Sequence, residues 1–271
     1  MKTRILTVVV LLPLLLLVVL FAPKIFTALL FAVMAAIAAY ELLTGTGLVK
    51  HVRLCVYTAI SAFWCVLWSG LCIGNVWLLL GALVLWIAIF AEMMVSGMKL
   101  SFSKAAVCLA GGLLLPLLFG AIIRLHVLDE GRFYILIPFV LAFLSDTCAY
   151  FTGLSLGKHK LAPTISPKKT IEGVVGGVLG AVIGMVIYCV VLQTCFDFEV
   201  NYLLAIVYGI LGSAGSVFGD LCFSVIKRQT GIKDYGNLFP GHGGILDRFD
   251  SMMVVAPMVE ILMVLLPVAV R

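Results

Sequence analysis

Apolar runs of membrane-helix length follow one another along almost the whole chain, broken only by short polar stretches. About nine can be marked, at roughly 5–22, 25–45, 54–72, 76–95, 105–127, 133–153, 173–194, 202–223 and 251–270. The first opens with Met1-Lys2-Thr3-Arg4, as a signal peptide would, but shows no convincing small-residue cleavage site. Pro23-Lys24 then leads straight into the second run, so the first is read as a helix. The chain is 63% hydrophobic and 11% charged. An average soluble domain is about 45–50% apolar and about 25% charged. The expected fold class is an all-α polytopic integral membrane protein.

Charge placement sets the orientation. With the N-terminus inside, only Lys24, Arg124, Arg132 and Arg271 of the 18 Lys and Arg fall in outer segments. A wrong span count would scramble that alternation, so about nine helices running N-in/C-out are expected. Eight or ten remain open, because the 25–72 region can be cut differently. The net charge of +5 is then a topology signal. No basic run interleaved with aromatics lies on a soluble domain, so nucleic acid is not an expected partner. The eight cysteines include no C-x-x-C pair and mostly fall within spans, which reads as apolar filler.

The chain divides in character. Residues 1–130 read as a transmembrane scaffold of about five helices with few polar side chains. Residues 131–271 read as a catalytic region of about four helices with charged loops at 154–171 and 224–250. In the seventh span Gly176, Gly180 and Gly184 recur at four-residue spacing, with Gly173 and Gly177 beside them. Such spacing makes a groove for close helix packing. In the eighth span Ser213, Ser216, Asp220 and Ser224 form one helical stripe, which must face protein or water. In the N-in arrangement Asp146 and Asp220 lie toward the cytoplasmic ends of their helices. Both charged loops open on that side, so one cytoplasm-facing polar cavity is the economical reading.

Residues 224–250 hold four basic side chains, three aspartates and several glycines. Charge beside lipid is expensive and marks a use. Asp220 and Asp247 offer hard oxygen ligands that suit magnesium. The structural alternative is a salt-bridge network, with Asp220 pairing Lys227 and Asp250 capping the last span. Ser166-Pro167-Lys168-Lys169-Thr170 reads as a helix start, with Ser166 as N-cap and Pro167 in the first turn, placing backbone N–H groups and two lysines together for an anion. Pro240-Gly241-His242-Gly243-Gly244 could bring backbone close to a phosphate, or serve simply as a tight connector. No G-x-x-x-x-G-K-[ST] or G-x-S-x-G motif occurs. A reaction whose nucleophile is already an anion needs neither.

At these residues the sequence resembles the CDP-diacylglycerol synthases, or phosphatidate cytidylyltransferases. The family signature is matched by Ser224, Lys227, Arg228, Lys233, Asp234, Gly236, Pro240, His242, Gly243, Gly244, Asp247, Arg248 and Asp250. A second stretch resembles the upstream motif, from Ser145-Asp146-Thr147 through Gly157-Lys158-His159-Lys160 to Ser166-Pro167 and Lys169-Thr170. The likeness covers roughly residues 140–250. It implies that CTP and phosphatidate give CDP-diacylglycerol and pyrophosphate, with magnesium and room for a second cation. A homodimer and a bacterial cytoplasmic membrane, with the active site facing the cytoplasm, go with it. Asp220 and Asp247 would then be catalytic metal ligands, and Lys227 and Arg248 catalytic cations. Asp146, Ser166, Lys168, Lys169, Ser224, Arg228, Lys233, His242, Gly243 and Gly244 would bind substrate. The chain departs from the family at Leu154, a commonly basic position, and at Cys148, where a small residue is usual. That bears on one phosphate contact and leaves the metal carboxylates untouched.

Two other classes fit less of the sequence. A CTP-dependent lipid kinase shares the setting but transfers the terminal phosphate. An ion-coupled transporter would use Asp146, Asp220 and Glu260, yet needs polar groups on both sides of the midplane, and these crowd one side.

Overall fold

A segment crossing lipid has no water to satisfy its amides and carbonyls, and helices meet that demand internally. The computed structural model of the chain describes residues 13, 15–71, 74–97, 99–239 and 243–271. Among them are seven helices long and apolar enough to cross a membrane: α1 Lys24–Gly45, α2 Val52–Leu71, α3 Gly74–Val95, α4 Phe102–Val127, α5 Gly131–Leu156, α6 Ile171–Phe196 and α7 Tyr202–Gln229. They fall on the second to eighth expected runs. Most of the first run lies outside the described residues, although 15–21 are helical. The ninth is shorter than expected. After the four-residue α8, Leu246–Phe249, the helix α9 spans Met252–Leu265, 14 residues. At 1.5 Å per residue that is about 21 Å, against a hydrocarbon core of about 30 Å.

The chain forms two compact units: Met1–Arg132 with Lys227–Phe249, and Phe133–Ile226 with Asp250–Arg271. In the first, α1 turns Ala28, Phe31, Ala32, Ala35, Ala38 and Ala39 inward, all essentially inaccessible. Small side chains let neighbouring helices approach closely where lipid supplies no hydrophobic drive. The helix α3 buries only 11% of its apolar window and presents the rest outward. The helix α4 widens into a π-turn at Ala110–Leu114. There Gly111 and Gly112 abut Leu43, Thr58 and Leu85, and the Gly112 carbonyl accepts the Ser61 hydroxyl at 3.0 Å. Phe31, Phe119 and Phe249 meet with ring centroids 5.4–6.4 Å apart, tying α8 to α1 and α4.

In the second unit, α5 and α6 pack along the expected glycine groove. A Cβ added at Gly176 would overlap Thr152, one at Gly180 would overlap Cys148, and one at Gly184 would overlap Leu144. The start of α7 is fixed by Asn201, whose Oδ1 accepts the amides of Leu203 and Leu204 at 3.0 and 3.1 Å. After α9 the chain turns into a two-residue strand, Ala269–Val270, paired antiparallel with Glu199–Val200. The Tyr208 and Tyr134 hydroxyls donate to the carbonyls of Leu266 and Ala269 at 3.0 and 3.1 Å. Those contacts hold the tail extended where the sequence pattern alone continues a helix.

The expected helix start at Ser166-Pro167 is a strand. Lys160–Ala162 and Ser166–Thr170 form an antiparallel hairpin, pairing Lys160 with Thr170 and Ala162 with Ser166. The helix α6 begins four residues after Pro167, capped by Thr170, whose hydroxyl accepts the Gly173 amide at 3.1 Å. Two forces select the later start. A residue before proline is pushed to extended backbone. In addition, the Glu172 carboxylate accepts the amides of Lys158 and His159 at 3.1–3.2 Å, fastening the hairpin onto the first turn of α6.

Candidate active site

In the first unit the polar segment after α7 is organised by Asp247. Its Oδ1 accepts the Lys227 ammonium at 3.0 Å. Its Oδ2 accepts the amides of Tyr235 at 2.7 Å and Gly244 at 3.0 Å. The Asp247 side chain is 1% exposed and that of Lys227 11%. The ammonium also lies 5.4 Å from the centre of the Tyr235 ring. Gly243 has φ +85°, and a Cβ there would press on the Asp247 carboxyl, so glycine is required on both counts. The Phe239 amide donates to the Gly243 carbonyl at 2.9 Å. His242, expected to bind substrate, lies outside the described residues. Arg228, Lys233 and Arg248 are exposed.

In the second unit the serine and aspartate stripe of α7 faces protein. Ser213 and Ser145 share a hydrogen bond at 2.8 Å, and the Ser216 hydroxyl donates to Asp146 Oδ1 at 2.9 Å. The Ser224 hydroxyl donates to Asp220 Oδ1 at 3.1 Å, and Lys169 pairs with Asp220 Oδ2 at 2.7 Å. Within each unit a lysine meets an aspartate: Lys169 with Asp220 in the second, Lys227 with Asp247 in the first. Asp250 does not cap α9. Ser251 holds that position, and the Asp250 carboxylate accepts the Ser251 amide at 2.9 Å.

The joint role expected for Ser166, Lys168 and Lys169 at a helix N-terminus is corrected by the strand. Side chains alternate along extended backbone. Lys168 is accordingly exposed, whereas Lys169 turns inward and also reaches the Val217 carbonyl at 3.4 Å. The backbone of Ser166–Thr170 is committed to the hairpin. Sequence reasoning also passed over Glu41, near the end of α1, whose carboxylate accepts the amides of Ile245 and Leu246 at 3.2 and 3.0 Å. An acid inside an otherwise apolar span was the signal that could have found it.

Magnesium favours hard oxygen donors and keeps several waters, so one or two carboxylates suffice beside phosphate oxygens. Asp220, whose side chain is 32% exposed, offers such a donor with the Ser224 hydroxyl beside it. The Lys169 ammonium already rests on it, as the Lys227 ammonium rests on Asp247. Among the described residues no three His, Cys, Asp or Glu side chains group to hold a metal. A cation would therefore share its shell with water and phosphate, and on those terms the oxygen donors fit.

Proteins named phosphatidate cytidylyltransferase from Staphylococcus saprophyticus and Staphylococcus haemolyticus are each 40% identical to this chain over 166 residues. One from Staphylococcus aureus is 39% identical over the same length. The matched segment is 61% of this chain and 62% of each relative. Residues 2–266 match the cytidylyltransferase family, with the paired carboxylates and the glycine loop inside the matched region, and the chain belongs to that family.

Proposed function

We propose that the protein transfers a cytidylyl group from CTP to phosphatidate, releasing pyrophosphate and forming CDP-diacylglycerol. The observation that carries this reading is the 40% identity over 166 residues to proteins of that name. The acid–base pairs Lys169–Asp220 and Lys227–Asp247 support it, because an apolar chain keeps in them the lysines and carboxylates that binding of phosphate and a cation would use.

A phosphate oxygen of phosphatidate forms a bond to the α-phosphorus of CTP while the bond to the bridging oxygen of the β-phosphate breaks. The electron pair leaves with pyrophosphate. The nucleophile is already an anion, so alignment and charge neutralisation matter more than a general base. Lys227 and Arg248 neutralise phosphate charge, and Lys168, Lys169, Arg228 and Lys233 assist in binding. Gly243 and Gly244 let the chain pass closely over the Asp247 carboxylate, which the Gly244 amide meets at 3.0 Å. Asp220 and Asp247 are each assigned to cation binding. Magnesium, when bound, would withdraw charge from phosphate oxygens. The helices are taken to run N-in/C-out in a bacterial cytoplasmic membrane, with the loops 154–171 and 224–250 meeting cytoplasmic CTP.

Purified protein incubated with phosphatidate and CTP labelled at the α- or the γ-phosphate tests the chemistry. Label from the α position should enter lipid and label from the γ position should leave as pyrophosphate. Entry of γ-label into lipid would instead establish a lipid kinase.

A further inference from the structure

Glu41 sits in an apolar helix yet is only 7% exposed, a costly place for a carboxyl group unless its oxygens are satisfied. Oε1 accepts the Ile245 amide at 3.2 Å and Oε2 the Leu246 amide at 3.0 Å. These amides open α8, where no carbonyl of the helix itself can receive them. The loop is shaped around the same group. A Cβ at Gly236 or at Gly244 would collide with the Glu41 side chain. One at Gly45, a turn further along α1, would collide with the Tyr235 carbonyl. A single carboxylate thus receives the loop at Gly236 and at Gly244–Leu246. Those contacts end one residue before Asp247.

We propose that Glu41 is a positioning residue for cytidylyl transfer, holding Tyr235, Gly236 and residues 243–248 in the form that closes around the Lys227–Asp247 pair and leaves Arg248 exposed toward substrate phosphates. The proposal rests on the function inferred above. Glu41 acts through the loop backbone and touches neither substrate nor cation. Its two oxygens act together. An amide in its place keeps the size but offers one acceptor and turns an NH₂ group toward the second backbone N–H.

Glu41→Gln, in full-length protein in detergent, should lower kcat for CDP-lipid formation by about 10- to 100-fold, the range expected when reacting groups are misplaced by around 1 Å. KM for phosphatidate should stay within about twofold. Amide hydrogen exchange should quicken at residues 244–247 and stay unchanged across α1 and α2. Glu41→Asp keeps the charge but is one methylene short, and should recover part of the turnover and part of the protection. Unchanged kcat with unchanged exchange in Glu41→Gln would overturn the proposal. So would a general loss of protection through α1–α4 with kcat preserved in the folded fraction. If Glu41→Gln does not fold, Glu41→Asp is judged by the same two readings, and wild-type values in both would overturn the proposal. Failure of the wild type to make CDP-lipid would sink the functional reading alone, because exchange at residues 244–247 judges the hold of Glu41 on the loop without reference to turnover.

Discussion

Both oxygens of the Asp247 carboxylate are engaged by protein donors, whereas Asp220 combines its lysine partner with a side chain one-third open. The same substitution should therefore have different consequences at the two sites. Asp220→Asn keeps size and hydrogen bonding but deletes charge, and turnover should fall by at least about two orders of magnitude, as when other groups that stabilise transition-state charge are removed. Its melting temperature in detergent should stay near that of the wild type, since neither partner is fully buried, Asp220 being 32% and Lys169 22% exposed, and Lys169 keeps the Val217 carbonyl. Asp247→Asn should lose turnover and stability together. It deletes the charge that faces the buried Lys227 ammonium, and removing one partner of a buried pair costs about 3–5 kcal/mol. Thermal unfolding of the two purified variants, read beside activity, checks the distinction. A fully stable Asp247→Asn would show that the charge of Asp247 is not needed to hold the loop. That Asp220 and Asp247 carry charge in an oily chain was legible from residue type alone. Which lysine each would pair with was not, because those partners are brought together by helix packing and loop closure, not by sequence spacing.

At the scale of elements, periodicity served well wherever burial is one-sided. The glycines of α6 pack on α5 and the polar stripe of α7 faces protein, as their spacing implies. Gly180→Val should destabilise the protein by about 1–3 kcal/mol, because its new side chain must displace Cys148. Val175→Ala, on an exposed position of the same helix, should change stability by no more than about 0.5 kcal/mol. Thermal melts of the two variants in one detergent compare them directly. A Gly180→Val protein as stable as the wild type would mean that α5 and α6 can separate at no cost. The start of α6 was misread for a local reason. Ser166-Pro167 and Thr170 both carry start signals, and the choice between them depends on Glu172 reaching back to Lys158 and His159. That contact joins residues more than a dozen positions apart, beyond any rule of capping.

For the whole molecule, the distribution of Lys and Arg yields the remaining prediction. Single cysteines placed at Lys160 and at Lys233 in a cysteine-free background should resist an impermeant thiol reagent on intact cells and react after permeabilisation. Labelling of either from outside would reverse the proposed orientation and remove the loops from cytoplasmic CTP. The succession of spans α1–α7 and the family signature were both written in the sequence, since each depends on composition or order over a short window. Lipid enforces the first, because a crossing backbone must bond to itself. The last helix is a different matter. Its apolar run extends to residue 270, but α9 stops at Leu265, and the strand pairing with Glu199–Val200 together with the two tyrosine hydroxyls holds the remainder extended. The same is true of Glu41, which looks like a misplaced acid in α1 until the fold brings Ile245 and Leu246 to it from 204 and 205 residues away. Hydropathy and local order are properties of a stretch of chain. The partner of a buried carboxylate is a property of the packed whole, since only folding supplies donors in place of the water it has lost.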